Sequence, residues 1–239
     1  MEQNDEEMLF KLILGLPSDD KPNQPTFDPH RRSTLQMGLQ VARFLYHCSS
    51  EKTDGKLCYS IGRLRPKHKS MIPRDESFIM CSLLLYLNCL EQVGTIFGDK
   101  SNYGSDNAIE LFFNQDKNNK SYKFTEEEKI AIRNLRNALA HSVGLVNVEP
   151  RNDEPIQKFL LCFNHKEILN KVAETPSEEN KLHGDYKDKN PKSSVKIYVV
   201  NLIDMIETII ANAQSQYQNG DITLKRRFDE VQTRYTIRV

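Results

Sequence analysis

The sequence predicts a mainly α fold: an up-and-down helical bundle of four main helices plus short ones, with an inserted β-hairpin around 144–163. Three observations predict it. Apolar residues recur at helical spacing over 33–47, 126–142 and 195–217. The stretch ESFIMCSLLLYLNCLEQVGTIF, ending at Phe97, is apolar nearly all round, as a central bundle helix is. Two short runs rich in Val, Leu and Phe, LVNVE and KFLLCF, flank the turn-like PRNDEPIQ and read as a hairpin.

Each element has a local reason. Residues 1–16 read as a short amphipathic helix on Met8, Leu9, Leu12, Ile13 and Leu16. Prolines at 22, 25 and 29 mark a linker. Residues 1–32 are therefore set apart from the main helical domain, 33–239. Ser33 or Thr34 caps the next helix, whose apolar side is Leu35, Leu39, Ala42 and Tyr46. Residues 49–73 are polar and irregular, with Gly55, Gly62 and Pro66. The Asn-rich stretch 98–123 holds one short helix around 109–113.

Thr125 and Glu128 form a capping box: the threonine caps and the glutamate reaches back. Glu126, Glu127 and Glu128 also meet the positive end of the helix dipole. That helix runs over 126–142, and Gly144 can stop it. Residues 164–173 read as a short helix and 174–194 as a polar loop. The long final helix carries Ile197, Val200, Ile203, Ile206 and Ile210 on one side. The C-terminal extension, KRRFDEVQTRYTIRV, ends as a strand.

Composition narrows the function. Basic and acidic residues balance at 33 each, so no global electrostatic grip on nucleic acid is indicated and any anion site is local. Five cysteines without CxxC pairing predict reduced thiols in a cytoplasmic protein. The N-terminus is acidic before its short apolar run, the reverse of a secretory signal. No run of about eighteen apolar residues exists, so no membrane partner is expected. His47, Cys48 and Cys58 lack zinc-ligand spacing, and 181–194 has no phosphate-loop glycines. No cofactor and no metal are expected.

One constellation carries chemistry: Arg136-Asn137-Ala138-Leu139-Ala140-His141. A second Arg-x4-His, from Arg63 to His68, contains Pro66 and no helix organises it. On an ideal helix Ile132, Leu135, Leu139 and Val143 face the core, and Arg136 falls at the edge of that stripe. Arg133, Asn137 and His141 share another flank, bordered by Ala140 and Gly144. Arg136 and His141 stand about 140° apart. Either the arginine curls round, the helix unwinds near His141, or two chains contribute. A guanidinium forks onto phosphate and offsets charge growing on a phosphorane. A histidine exchanges a proton at neutral pH. Asn137 can orient either. RNA supplies its own nucleophile, the 2′-hydroxyl. Arg133 is a solvent or dimer-rim residue and the candidate substrate-binding contact to phosphate. Glu91 lies either at an exposed edge or against an arginine of the motif. His30-Arg31-Arg32 and Lys225-Arg226-Arg227 read as solvated surface, with RNA backbone contact the alternative.

The segment RNALAH, closing a capped helix in a helical chain, resembles the HEPN superfamily motif of Arg, a polar residue, a few residues and His. The resemblance implies a helical bundle and a homodimer that joins two motifs in one cleft. It implies metal-independent RNA cleavage by Arg136, Asn137 and His141, in toxin–antitoxin or antiviral defence, with an antitoxin or regulatory protein as partner. The alternative is a non-catalytic helical module that binds a protein, a nucleotide or RNA. In that case RNALAH is a solvated helix end whose cations complement the dipole.

Overall fold

The computed structural model describes residues 31–50, 76–115, 122–142, 145–147, 157–162, 171–177, 191–226 and 228–238. Expectations for 1–16, for the linker before 31 and for the Arg63–His68 copy lie outside these residues. The fold is mainly helical. Helix α1 spans Thr34–Ser50, α2 Glu76–Phe97, α3 Gly104–Ile109, α4 Glu126–Ser142, α5 Val199–Gln218 and α6 Phe228–Tyr235. A π-helical turn, Glu110–Asn114, continues α3. The short helix expected at 109–113 is thus this longer α3–π unit.

Helix α2 is central. Leu83, Tyr86, Leu87, Leu90, Val93, Ile96 and Phe97 are all buried, and α1, α3, α4 and α5 all pack on it. By length and composition Phe78–Phe97 could cross a membrane, contrary to the reading that no such stretch exists, but more than half of its most apolar window is buried in the fold. Glycines set the closest approach. A Cβ on Gly94 would overlap the Gly104 carbonyl, and one on Gly104 would overlap the Glu91 carbonyl. Only hydrogens at both positions let α3 abut the α2 backbone. Glu91 then caps α3, accepting from the Gly104 amide at 3.1 Å and the Ser105 amide at 3.0 Å. This corrects both sequence readings of Glu91.

The helices are also wired by polar contacts. Arg43 of α1 forks onto Glu207 of α5 at 2.7 and 2.5 Å. The Tyr86 hydroxyl of α2 donates to the same carboxylate at 2.9 Å. Ser82 donates to the Ala42 carbonyl at 2.7 Å. After α5 the chain returns to the end of α2, where Lys225 donates its amide to Ile96 and Arg226 donates Nε to Thr95, both at 3.0 Å. Arg226 is therefore a basic cap on α2 rather than a solvated surface residue.

The strands differ most from expectation. β1 (Arg31–Ser33) pairs antiparallel with β6 (Thr236–Arg238), joining the two ends of the described chain. The expected hairpin appears as β2 (Val146–Asn147) antiparallel to β3 (Gln157–Cys162). It is not a separate insertion. β3 also pairs in parallel with β5 (Ser194–Tyr198), and β5 pairs antiparallel with β4 (Ala173–Glu174), giving the order β2-β3-β5-β4. Residues 195–198, expected as helix, are thus strand, and 173, expected as the end of a helix, is strand as well. Val195, Ile197 and Tyr198 are buried between neighbours, and β-branched chains suit that pleated surface. The helix begins only at Val199. The C-terminal extension ends as the expected strand, but α6 precedes it.

Among the described cysteines, Cys81, Cys89 and Cys162 are free. Burial, aided by Glu207, pushes the Cys89 thiol up to about 12, so it packs as a small hydrophobe.

Two outcomes follow for stability. Gly94→Ala should destabilise by about 3 kcal/mol, because α3 must move off α2. Thermal unfolding should show a Tm lower by roughly 6–12 °C, and an unchanged Tm would refute the close approach. The second concerns Glu207. Burial works to raise its carboxyl, but Arg43 and Tyr86 outweigh burial and hold it below the ordinary carboxylate value. A carboxyl lowered by folding adds stability above its unfolded value, and loses it as pH falls through the folded value. Glu207→Gln should lower Tm by roughly 3–6 °C at pH 7. That gap should close as pH drops below the usual Glu value of about 4.3; a gap that persists in acid would mean the charge is not what matters.

Candidate functional site

The candidate motif closes α4, and the start of that helix is set as its sequence requires. Thr125 Oγ1 accepts from the Glu128 amide at 3.3 Å, and Glu128 Oε2 accepts from the Thr125 amide at 2.9 Å. Tyr122 donates its hydroxyl to Glu128 as well. Ile132, Leu135, Ala138 and Leu139 are buried, as the spacing predicts. Val143 and Gly144 lie outside the described residues.

The helix is more enclosed than a single apolar stripe implies. Lys129, Arg133 and Asn134 are also buried. Asn134 donates to Gln157 of β3 at 3.2 Å, and β2, β3 and β4 pack on this helix. Glu126 and Glu127 are exposed at the start of the helix, and its C-terminal end is open as well: Ala140 and His141 are exposed, and Arg136 and Asn137 are half-buried.

Arg133 departs from its expected role. Helix α3 covers it, leaving 9% of the residue exposed. Its Nη1 lies 2.6 Å from Asp106 Oδ2, and its guanidinium carbon lies 3.9 Å from the centre of the Tyr103 ring. The guanidinium that could have met phosphate is instead buried against Asp106 and Tyr103. Burial raises the Asp106 carboxyl above its ordinary value even against Arg133 and Lys129. Desolvation there outweighs pairing, so this ion pair orients α3 more than it stabilises.

Arg136 is held differently. Its Nε donates to Asn88 Oδ1 of α2 at 3.2 Å, and its Nη1 donates to Asn137 Oδ1 at 3.3 Å. Both acceptors are neutral amides. The other arginines with described side chains meet carboxylates: Arg43 meets Glu207, Arg133 meets Asp106, and Arg226 and Arg234 meet Glu230. Among the described residues no carboxylate forms an ion pair with Arg136. It is thus a half-exposed cation, fixed in direction and not neutralised, which is what a receiver of an outside anion needs.

The structure brings Arg136 and Asn137 together. It does not bring His141 into contact with either; His141 is exposed in the last turn of α4 and makes no hydrogen bond or ion pair among the described residues. The helix continues intact through Ser142, so it does not unwind at the histidine, and Arg136 turns toward α2. Neither single-chain geometry open to the sequence, a curled arginine that reaches the histidine or a helix unwound at His141, is formed among the described residues.

Asn88 is the residue that sequence reasoning missed. Its signal was an amide in the middle of an apolar helix, one turn before Gln92. It also borders a depression of about 260 Å³ beside Leu35, Gly38, Cys89 and Arg234. Among the described residues no three His, Cys, Asp or Glu side chains converge.

Comparison with protein-family models, with curated proteins and with solved structures finds no match to this chain.

Proposed function

We propose that the chain is a metal-independent endoribonuclease of HEPN type, active as a homodimer on single-stranded RNA. The observation that carries this reading is Arg136: its charge is held by two amides and answered by no carboxylate among the described residues. Asn137 orients it, and the exposed His141 lies one turn further along the same helix. Two copies paired across a two-fold axis would set the His141 of one chain beside the Arg136 of the other. Two-fold pairing is the commonest oligomer symmetry, and the small Ala140 beside His141 allows close approach. In this reading α1, α2, α4 and α5 correspond to the family's up-and-down bundle. The setting is cytoplasmic toxin–antitoxin or antiviral defence, with an antitoxin or regulatory protein as the further partner.

The step balances without another reagent. The 2′-hydroxyl gives its proton to a histidine and its oxygen attacks phosphorus. The P–O5′ bond breaks, and the 5′-oxygen takes up a proton from a protonated histidine, so the proton count is unchanged. The products are a 2′,3′-cyclic phosphate and a 5′-hydroxyl. Arg136 stabilises charge on the equatorial oxygens. Unpaired RNA can rotate its 2′-hydroxyl into line, which an A-form helix resists.

The separation of Arg136 from His141 within one chain favours a second reading, a binding module that holds RNA or another anion without cutting it. One set of assays separates the two. Labelled single-stranded RNA incubated with the protein in chelator should be cleaved. His141→Ala should lose about 10²–10⁴-fold in rate while its Tm stays unchanged, because an exposed side chain contributes little to stability. Arg136→Ala should lose similarly, and Arg136→Lys should rescue poorly for want of the fork. His68→Ala should cut as wild type does. A requirement for added magnesium, or full activity in His141→Ala, would refute the mechanism; RNA binding without cleavage would favour the module.

A further inference from the structure

We infer that Asn88 is a positioning residue that aims Arg136 at its anion without cancelling the arginine's charge, an inference that rests on the reading of Arg136 given above. The guanidinium is held at two points from two helices. Asn88 Oδ1 on α2 takes the Nε hydrogen, and Asn137 Oδ1 on α4 takes one from Nη1. Two acceptors in different directions fix the plane of the group. They leave the Nη2 edge and the second Nη1 hydrogen for a ligand, which is the end-on fork that phosphate oxygens accept.

The chemical identity of residue 88 is the informative part. A carboxylate there would hold Nε at least as firmly, because hydrogen bonds to ionised acceptors are stronger. The chain uses that solution where an arginine only joins elements: Glu207 for Arg43 and Asp106 for Arg133. At Arg136 it uses an amide of the same size and shape as aspartate. The amide supplies direction and leaves the positive charge in place. Asn88 is half-buried, beside the depression of about 260 Å³ lined by α1, α2 and Arg234 of α6, so an aspartate or an alanine there overpacks nothing.

A packing role and a positioning role predict opposite orders for two variants. If Asn88 only braces Arg136, Asn88→Ala is the damaging change and Asn88→Asp is harmless, since aspartate braces better. If Asn88 preserves the charge, Asn88→Asp is the damaging one. The experiment measures Tm, cleavage of single-stranded RNA, and binding of a 2′-O-methyl RNA oligonucleotide, which lacks the nucleophile and is bound without being cut. For Asn88→Asp the expected result is a Tm no lower than that of Asn88→Ala, with kcat down about 100-fold and weaker oligonucleotide binding, since an oxyanion donor typically contributes about 10²–10³-fold. Asn88→Ala keeps the charge and the Asn137 contact, and loses about tenfold. Asn88→Asp binding and cutting like wild type, or Asn88→Ala falling below it, would overturn the inference. If wild type binds the oligonucleotide but cuts no RNA, and the order holds in binding, the ribonuclease reading fails while Asn88 keeps its role. If wild type neither binds nor cuts, Arg136 receives no anion and the inference falls with it.

Discussion

Helix α2 has almost no face that water can cover at low cost, and the rest of the fold is arranged to enclose it. Its buried side chains, from Leu83 through Leu90 to Phe97, fill one broad face, and Met80, Leu84 and Leu85 outside that face are still half-buried. Four helices satisfy that demand. The closest of them, α3, gets there only because Gly94 and Gly104 lack side chains. Burying α3 against α2 in turn places Asp106 and Tyr103 over Arg133. The enclosure of α2 therefore decides which arginines of α4 stay available. Arg133 is covered and Arg136, one turn nearer the open end, is not.

Enclosure also explains the polar contacts between the helices. A buried donor or charge without a partner costs free energy, so each needs an answer. Arg43, Glu207 and Tyr86 answer one another across α1, α2 and α5. Glu91 answers the first amides of α3. Arg136 is answered for direction, through Asn88 and Asn137, but by no carboxylate among the described residues. That asymmetry sets Arg136 apart from the arginines that join elements, and the proposed role of Arg136 rests on it.

How much of this could be read in advance depended on range. The Thr125–Glu128 box is local, three residues apart, and it forms as written. The burial of Leu135 and Leu139 follows from one helix's own periodicity. The motif residues were named from the chain, and Arg136 and Asn137 do meet. What was illegible depends on distant partners. Residues 195–198 carry a pattern that suits a helix turn or a buried strand, and only pairing with Phe159 and Leu161 of β3 decides for strand. The cover over Arg133 comes from residues 27 and 30 positions earlier, in an Asn-rich stretch with little apolar signal. Asn88 lies 48 residues from the arginine it holds, and nothing in its own neighbourhood marks it as more than a polar interruption.

The account turns on Arg136 receiving an anion in its present orientation, and nitrogen-15 NMR of the arginine Nε–H groups reads this directly. Adding an uncleavable single-stranded 2′-O-methyl RNA should shift the Arg136 signal to saturation. The Arg43 and Arg133 signals should stay in place, because Arg43 is forked onto Glu207 and Arg133 is buried against Asp106 and Tyr103. RNA binding that leaves the Arg136 signal unmoved would contradict the account, because the anion would then be held elsewhere on the molecule.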